Sequence, residues 1–295
     1  MLQAMVVVFG FMALGYFAQR KEEQNRSLAK LCLYYLIPIL IFQSFVHTGV
    51  SVQSLAMIVL HFFVTTLIVY VLLLYVVGRL FGWKQEMLKW NVLAATLANV
   101  GYFGLAVIRY AVGEHAVPYA VAVSLAFNLY MAIFGFSQVG DEQQWQARIK
   151  RIFQNPYLYA VGAGLIWRWM DLRMPESLDA FLNLAASATL PLTLLLTGAE
   201  MRKNRYERSE LWDAAKVSVL KLVLPVLIAW PLALWMTDDP VEQGVMILMF
   251  GMPTSLNLLL LAKDQERDTS ALAMVILLTT LLSPFTLMLV MNHLP

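Results

Sequence analysis

Two long apolar segments of this chain each contain an interruption that a regular membrane-spanning helix would not carry. The first reads Leu97-Ala-Asn-Val-Gly-Tyr-Phe-Gly104 and the second Phe250-Gly-Met-Pro-Thr-Ser-Leu-Asn257, and they begin 153 residues apart. An unsatisfied backbone group in lipid costs several kcal/mol, so such a segment is tolerated only where it faces protein or a water-filled cavity. Interrupted helices at matched places in two halves of a chain are typical of secondary transporters.

The composition shows which kind of protein contains these segments. Hydrophobic residues make up 60% of the chain, charged residues 14%, and the mean hydropathy is +0.67, whereas soluble domains are about 45–50% apolar and 25% charged. A helix needs about 20 apolar residues to cross a bilayer core. We therefore predict an all-α integral membrane protein with ten transmembrane helices, at about 2–19, 28–47, 54–78, 88–110, 117–138, 157–171, 178–200, 214–236, 242–262 and 269–291.

The positive charges orient these ten helices. Of the 21 lysines and arginines, 17 follow odd-numbered helices and so share one face, whereas the opposite loops hold only Arg173. By the positive-inside rule the crowded face is cytoplasmic, so the N- and C-termini are expected outside the cytoplasm. The expected location is the plasma (inner) membrane of a bacterium.

A shift of 153 residues superimposes the first five helices on the last five. It places Pro38 on Pro191, and Asn99 on Met252 beside Pro253. Because five is odd, the halves must insert with opposite orientation, which predicts an inverted repeat. We predict a first five-helix repeat at 1–138, a cytoplasmic linker at 139–155 and a second, inverted repeat at 156–295. The alternative is that any evenly spaced ten-helix protein shows some similar register.

The two breaks define the candidate substrate site. Asn99 and Pro253 lie about eleven and twelve residues into their predicted helices. At about 1.5 Å per residue this depth is close to the bilayer centre. Two half-helix N-termini facing one cavity would attract an anion. The alternative is that the glycines allow close helix packing and the asparagines tie helices together. The candidate substrate-binding residues are Asn99, Gly101, Gly104, Pro253, Thr254, Ser255 and Asn257.

Three basic or titratable side chains lie within the predicted helices and are candidates for coupling or gating. They are His61 in helix 3, Arg109 near the outer end of helix 4 and Lys221 in helix 8. Ionisable residues inside a membrane are functional candidates, although long basic side chains near helix ends also extend to the headgroups. None of the 19 acidic residues lies near the middle of a predicted helix. A cation exchanger would be expected to place carboxylates there, so the uncharged breaks favour an anionic or polar substrate.

The sequence contains no motif that indicates catalysis or a bound cofactor. It has no phosphate-binding loop, no HExxH pattern and no G-x-S-x-G nucleophile elbow. The four histidines and the single cysteine show no metal-ligand spacing. We therefore expect neither an enzyme nor a metal protein nor a nucleic-acid-binding protein.

Motifs in several helices resemble the auxin efflux carrier family, which includes plant auxin carriers and bacterial malonate and malate permeases. The resemblance extends nearly from end to end of the chain, and the order and spacing of the motifs are its most specific feature. The motifs are Leu31-Cys-Leu-Tyr-Tyr-Leu-Ile-Pro-Ile-Leu-Ile-Phe42, Asn99-Val-Gly-Tyr-Phe-Gly-Leu105, Asn155-Pro156, Leu190-Pro-Leu-Thr-Leu-Leu-Leu-Thr-Gly-Ala199, Lys221-Leu-Val-Leu-Pro225 and Met252-Pro-Thr-Ser-Leu-Asn257.

This resemblance implies a scaffold of helices 1, 2, 6 and 7, which forms a homodimer in such relatives, and a mobile body of helices 3–5 and 8–10. It implies that a substrate carboxylate binds where broken helices 4 and 9 cross, at Asn99, Gly101, Pro253, Thr254 and Asn257, and that the mobile body moves like an elevator. The chain departs from the family pattern at Ala98 and Ala106, where relatives often carry proline. Whether helix 4 is fully interrupted without proline is therefore open.

These observations predict a secondary active or facilitative transporter of small organic anions, either mono- or dicarboxylates, that works by alternating access. Coupling to H⁺, coupling to Na⁺ and uniport all remain open at this point. One alternative is a membrane sensor or accessory subunit with the same fold that binds a ligand without moving it. Another is a cation/proton exchanger of related architecture.

Overall fold

A computed structural model of the chain describes residues 2–18, 22–47, 50–83, 85–131, 153–203, 206–264 and 269–294. Within these ranges the chain is almost entirely helical and forms no strand, apart from one isolated bridge between Ala98 and Thr254. The all-α prediction is therefore confirmed for the described residues. The end of the predicted first repeat and most of the predicted linker 139–155 lie outside them.

The helices follow the predicted apolar segments. Helices α2 and α3 each contain a π-helical segment within an α-helix: α2 consists of Glu22–Leu31, Cys32–Leu36 and Ile37–His47, and α3 of Val52–Leu72, Leu73–Val77 and Gly78–Leu80. The others are α1 (Leu2–Phe17), α4a (Gln85–Thr96), α4b (the π-helical Val100–Gly104 followed by Leu105–Ala111), α5 (Val117–Tyr130), α6 (Pro156–Trp169), α7 (Glu176–Lys203), α8 (Leu211–Met236), α9a (Pro240–Phe250), α9b (Leu256–Asp264) and α10 (Ser270–Met291).

Five helical stretches in the described part of the chain are long and apolar enough to cross a membrane. They are Glu23–His47, Val52–Leu80, Glu176–Arg202, Arg208–Met236 and Ser270–Met291, each 22 to 29 residues long. Shorter apolar helices occur at Met5–Phe17, Val100–Ala111 and Pro240–Phe250. Numerous large apolar side chains are exposed on these helices, which is the expected state of surfaces that contact lipid.

Several helices begin at residues that satisfy their first free N–H groups. Ser51 precedes α3 and its hydroxyl accepts a hydrogen bond from the Ser54 amide at 3.0 Å. Asn155 precedes Pro156 and its side-chain oxygen accepts from the Tyr157 amide at 3.0 Å. Asp239 precedes Pro240 of α9a in the same way. These boundaries follow from local sequence, because Ser, Asn and Asp cap helix N-termini and proline is favoured in the first turn.

Helices α1, α2, α6 and α7 contact one another closely. A Cβ atom added to Gly15 of α1 would overlap the Leu195 backbone of α7, and one added to Gly198 of α7 would overlap the Met12 backbone of α1. The Thr189 hydroxyl of α7 donates to the Leu36 carbonyl of α2 at 3.1 Å. Small residues at such contacts allow helix backbones to approach directly.

The interior of the molecule encloses α9a. All residues from Glu242 to Phe250 are buried, so this short helix is covered by protein on every side. Helix α4b is buried along one stretch, from Phe103 to Ile108. The last residue of α9a and the first residues of α4b therefore lie within the protein, where backbone groups at a break can find protein partners.

Candidate functional site

The two breaks lie side by side and are joined through their backbones. The Asn99 amide donates to the Pro253 carbonyl at 2.7 Å, and the Ser255 amide donates to the Leu97 carbonyl at 3.0 Å. These two bonds flank the antiparallel bridge between Ala98 and Thr254. Each break thus satisfies backbone groups of the other, which removes the free-energy cost of leaving them unpaired in a buried place.

The break in the fourth predicted helix forms without a proline. α4a ends at Thr96 and the helix resumes at Val100. Asn99 between them has φ −78° and ψ 67°, which is not helical, and its side-chain oxygen accepts from the Phe103 amide at 3.5 Å. Asn99 is therefore an N-cap of α4b, and the interruption predicted at this residue is present despite Ala98.

The break in the ninth predicted helix combines a proline with two capping side chains. The Ser255 hydroxyl accepts from the Asn257 amide at 3.3 Å, at the start of α9b. The Thr254 hydroxyl donates to the Ala94 carbonyl in the last turn of α4a at 2.8 Å, and the Thr254 amide donates to the Thr279 hydroxyl at 3.1 Å. Thr254 thus holds α9 to both α4a and α10.

The bridge between the two breaks pairs their residues at a fixed spacing. The bridged residues Ala98 and Thr254 are 156 positions apart, and exchanging the two breaks with this offset relates Asn99 to Ser255, since both are N-caps. The repeat shift of 153, which places Asn99 on Met252, stays a prediction.

Some of the candidate residues face open space and others are packed. A Cβ atom added to Gly101 would meet nothing within 4 Å, and the Asn257 side chain is exposed. A Cβ atom added to Gly104, in contrast, would lie 3.0 Å from the Met249 sulfur of α9a. Thr254 and Ser255 are buried and use their hydroxyls within the protein. The open part of the candidate site thus centres on Gly101 and Asn257, whereas Gly104 allows close packing of α4b on α9a.

Free donors lie at the start of α4b. Gly101 and Tyr102 lie in the first turn of α4b, where an N–H group has no acceptor within its own helix, and no backbone acceptor from outside the helix is found for them among the described residues. The Asn99 side chain uses its oxygen for the Phe103 amide, which leaves its Nδ2 amide group as a further donor. Backbone N–H groups at a helix N-terminus, together with a neutral amide, form an arrangement that binds anions.

Two of the three ionisable candidates lie at the carbonyl end of α9a. The Lys221 ammonium donates to the Phe250 carbonyl at 3.1 Å, and the side chain is 0% exposed. His61 Nε2 lies 3.0 Å from the Ala229 carbonyl, and its ring meets the Phe250 ring edge-on at a centroid distance of 5.7 Å. The sequence indicated that both residues are intramembrane, but it could not show that they converge on Phe250.

The third ionisable candidate, Arg109, lines a cavity of about 560 Å³ and forms an ion pair with Glu114. The opposite wall of this cavity belongs to α2 and α7. There Asp179 accepts a hydrogen bond from Gln43 at 2.8 Å and one from Asn183 at 3.1 Å. His47 Nε2 lies 2.9 Å from the same carboxylate.

Sequence reasoning missed this polar cluster. Gln43 and His47 are four residues apart on α2, as are Asp179 and Asn183 on α7. Such spacing places each pair on one helix face. The sequence therefore contained a signal for two polar faces, but only the packing of α2 on α7 shows that they meet.

Comparison with known proteins finds similarity over almost the whole chain. The family model described as "Membrane transport protein" matches residues 1–291. The chain is 26% identical over 300 residues to the "Putative malonate transporter" of Rhizobium meliloti (strain 1021), which covers 94% of this chain and 91% of that protein. It is 23% identical over 294 residues to an uncharacterized transporter of Methanocaldococcus jannaschii, which covers 96% of this chain and 95% of the relative.

Proposed function

The chain belongs to the membrane transport protein family, which includes the auxin efflux carriers that its motifs resemble, and from this premise we propose that it carries small organic carboxylates across the membrane. Its family and its named relatives are transporters and not enzymes. The proposed mechanism is alternating access, with the carboxylate bound where the two broken helices cross.

The observation that carries this proposal is the paired crossing of the two breaks. The hydrogen bonds between Asn99 and Pro253 and between Ser255 and Leu97 fix both helix interruptions at one place. The amides of Gly101 and Tyr102 follow in the first turn of α4b, and a Cβ atom added to Gly101 would point into open space. A carboxylate is small, planar and negatively charged, and it accepts hydrogen bonds from N–H groups without requiring a side-chain cation.

The chemistry of the site favours a substrate with few apolar groups. The donors available to it are backbone N–H groups, the Asn99 amide and the exposed Asn257 side chain. The relative named as a malonate transporter supports a short dicarboxylate as the first substrate to test. In this assignment one carboxylate lies against α4b and Asn257 contacts the rest of the molecule.

The proposed movement separates the helices into two groups within a ten-helix inverted repeat. Helices α1, α2, α6 and α7 form the fixed scaffold, supported by the backbone contact at Gly15 and Gly198. The remaining helices form the mobile body, which moves the crossing of the two breaks past this scaffold. The cavity between α2, α7 and α4b supports this division, because Arg109 pairs with Glu114 on one wall while Asp179 binds its partners on the other.

The orientation and assembly of the carrier complete the proposal. We place both termini outside the cytoplasm because 17 of the 21 lysines and arginines follow odd-numbered helices. We place the carrier in the inner membrane of a bacterium and assign a homodimer contact to the scaffold helices. Cysteine labelling from either side of the membrane tests the orientation, and native mass spectrometry tests the dimer.

Uptake into proteoliposomes tests the proposed function. Radiolabelled malonate, and a panel of other mono- and dicarboxylates, should enter vesicles that contain the protein and not empty vesicles. Asn257→Ala should abolish uptake without changing the melting temperature, because the Asn257 side chain is exposed at the crossing. The matched control Asn292→Ala changes an exposed residue at the end of α10 and should leave uptake unchanged.

Two outcomes would contradict the proposal. Equal uptake by Asn257→Ala and the parent would remove the crossing as the substrate site. Binding of a carboxylate without any flux would instead indicate a sensor with a transporter fold.

A further inference from the structure

Lys221 places a buried positive charge next to a helix end. Its side chain is 0% exposed, and its ammonium donates to the Phe250 carbonyl at 3.1 Å. Among the residues that the structure describes, no carboxylate lies within ion-pair distance of this ammonium. A buried ammonium is costly unless something nearby carries compensating negative charge. The lysine therefore needs an electrostatic partner other than an acidic side chain.

The carbonyl end of α9a is that partner. Phe250 is the last residue of α9a, so its carbonyl is among the four that have no partner within the helix. These carbonyls carry partial negative charge, which favours a cation at this end of a helix. Because α9a is buried from Glu242 to Phe250, water cannot easily replace such a cation.

The equivalent carbonyl at the other break has a neutral partner. The 156-residue offset of the crossing relates Phe250 to Ala94, and the Ala94 carbonyl accepts from the Thr254 hydroxyl at 2.8 Å. The same offset relates Thr254 to Ala98, which has no hydroxyl. The carbonyl end of α9a thus lacks a hydroxyl donor like the one that Thr254 provides to α4a. Lys221 provides a charged donor in its place.

The residues around Lys221 leave its ammonium as the positive charge beside the Phe250 carbonyl. The Phe250 ring is stacked on the Phe62 ring at 5.6 Å and meets the His61 ring at 5.7 Å. One turn before Lys221 on α8, Ser218 donates to the Ala214 carbonyl of its own helix. His61 is the titratable side chain that faces Phe250 from α3, and it lies close to the Ala229 carbonyl. A metal cation bound at the Phe250 carbonyl would be repelled by the adjacent ammonium.

We propose that Lys221 occupies the position of a coupling metal cation at the carbonyl end of α9a, so that transport requires neither sodium nor another bound metal ion. This inference rests on the proposed carrier function and defines its ion requirement. Lys221 acts as a positioning residue, since its ammonium holds the end of α9a beside the crossing without contacting the substrate.

Chemical rescue of Lys221→Ala tests the proposal. The variant loses the ammonium and leaves a space of similar shape, so carboxylate uptake should fall at least about tenfold, the order expected for loss of one hydrogen bond to a charged group. Methylammonium chloride should restore uptake and raise the melting temperature of the variant. Tetramethylammonium chloride at equal concentration should do neither, because it is larger and has no N–H donor.

A matched control lies on the same helix. Lys216 is exposed and pairs with Asp213 at 2.8 Å, so Lys216→Ala should retain parental uptake and should not respond to methylammonium. If methylammonium fails to raise either the uptake or the melting temperature of Lys221→Ala, the proposal is overturned. Should Lys221→Ala not fold, Lys221→Met preserves the volume of the side chain and can be tested for loss of uptake.

Ion replacement in the parent protein provides a test that needs no variant. Uptake should be equal in sodium chloride and in choline chloride at the same pH, and addition of a metal chelator should not change it. A requirement for sodium would overturn the proposal while leaving carboxylate transport intact. If no carboxylate is transported at all, the proposed function fails, yet the melting temperature of Lys221→Ala with methylammonium still tests the role of Lys221.

Discussion

The break between α4a and α4b (the α4 break) and the break between α9a and α9b (the α9 break) reach similar geometry by different means. In α9 the interruption contains Pro253, which has no N–H group and prevents a regular helix. In α4 the corresponding interruption contains Leu97 and Ala98, and the helix is ended by the Asn99 cap and by two hydrogen bonds from the other break. The comparison teaches that the α9 break is set by its own sequence, whereas the α4 break depends on its partner.

The carbonyl ends before the two breaks differ as well. A neutral Thr254 hydroxyl satisfies the Ala94 carbonyl, whereas the charged Lys221 ammonium satisfies the Phe250 carbonyl. The two breaks therefore have similar backbone pairing, yet a charged side chain caps only one of the two carbonyl ends. The predictions below test this asymmetry.

The largest effect on stability is expected from Thr254→Val. The change removes the hydroxyl that donates a hydrogen bond to the Ala94 carbonyl. A buried acceptor left without a hydrogen bond costs about 1–3 kcal/mol. Thermal unfolding in detergent should show this loss. Thr280→Val serves as the control, because the Thr280 hydroxyl donates only within its own helix, to Ile276. Equal destabilisation by both changes would show that the bond across the breaks has no special importance.

Asn99→Ala should have a smaller effect on stability and a large one on transport. Loss of an N-cap costs about 1 kcal/mol, and Asn99 caps α4b through the Phe103 amide. The substitution also removes the free amide donor beside Gly101, so carboxylate uptake should be lost while the protein remains folded. Retained uptake would exclude Asn99 from the site.

The two glycines of α4b should separate packing from binding. Gly104→Ala places a Cβ 3.0 Å from the Met249 sulfur and should lower the melting temperature modestly, because Met249 must shift. Gly101→Leu projects into open space and should leave the fold intact while blocking uptake. Normal uptake by Gly101→Leu would show that the open space is not part of the substrate path.

Ala98→Pro should have the smallest effect and should be stabilising. The described residues contain no backbone acceptor for the Ala98 amide, so proline at this position removes no hydrogen bond. Proline restricts the unfolded chain and stabilises by about 0.4–1 kcal/mol where the backbone conformation is compatible. A raised melting temperature with unchanged uptake would agree with this account. A lowered melting temperature would show that the α4 break requires a conformation that proline cannot adopt.

The sequence predicted the breaks because glycine, proline and asparagine act locally. Asn99 and Pro253 interrupt their helices where expected, and the caps at Asn155 and Asp239 also follow from local chemistry. The long apolar helices were predictable for the same reason, since each needs only its own composition. Five of them are long enough to cross a membrane in the described part of the chain.

The partners across helices could not be predicted in this way. Lys221 and Phe250 are 29 residues apart, and Thr254 and Ala94 are 160 apart. Which carbonyl each side chain reaches depends on the rotation and depth of packed helices, which hydropathy does not specify. The pairing of Ala98 with Thr254 at the crossing was unpredictable for the same reason, because apolar segments can slide past each other without changing the pattern.

The most direct test of the central claim is ligand-induced thermal stabilisation of the purified protein and of Asn257→Ala. The panel contains malonate, other mono- and dicarboxylates and indole-acetate. A ligand that binds the folded state raises the melting temperature, and the rise grows with the logarithm of its concentration relative to its dissociation constant. The account predicts that at least one carboxylate stabilises the parent and not Asn257→Ala. Equal stabilisation of both proteins, or none by any carboxylate, would contradict a carboxylate site at the crossing of the two breaks.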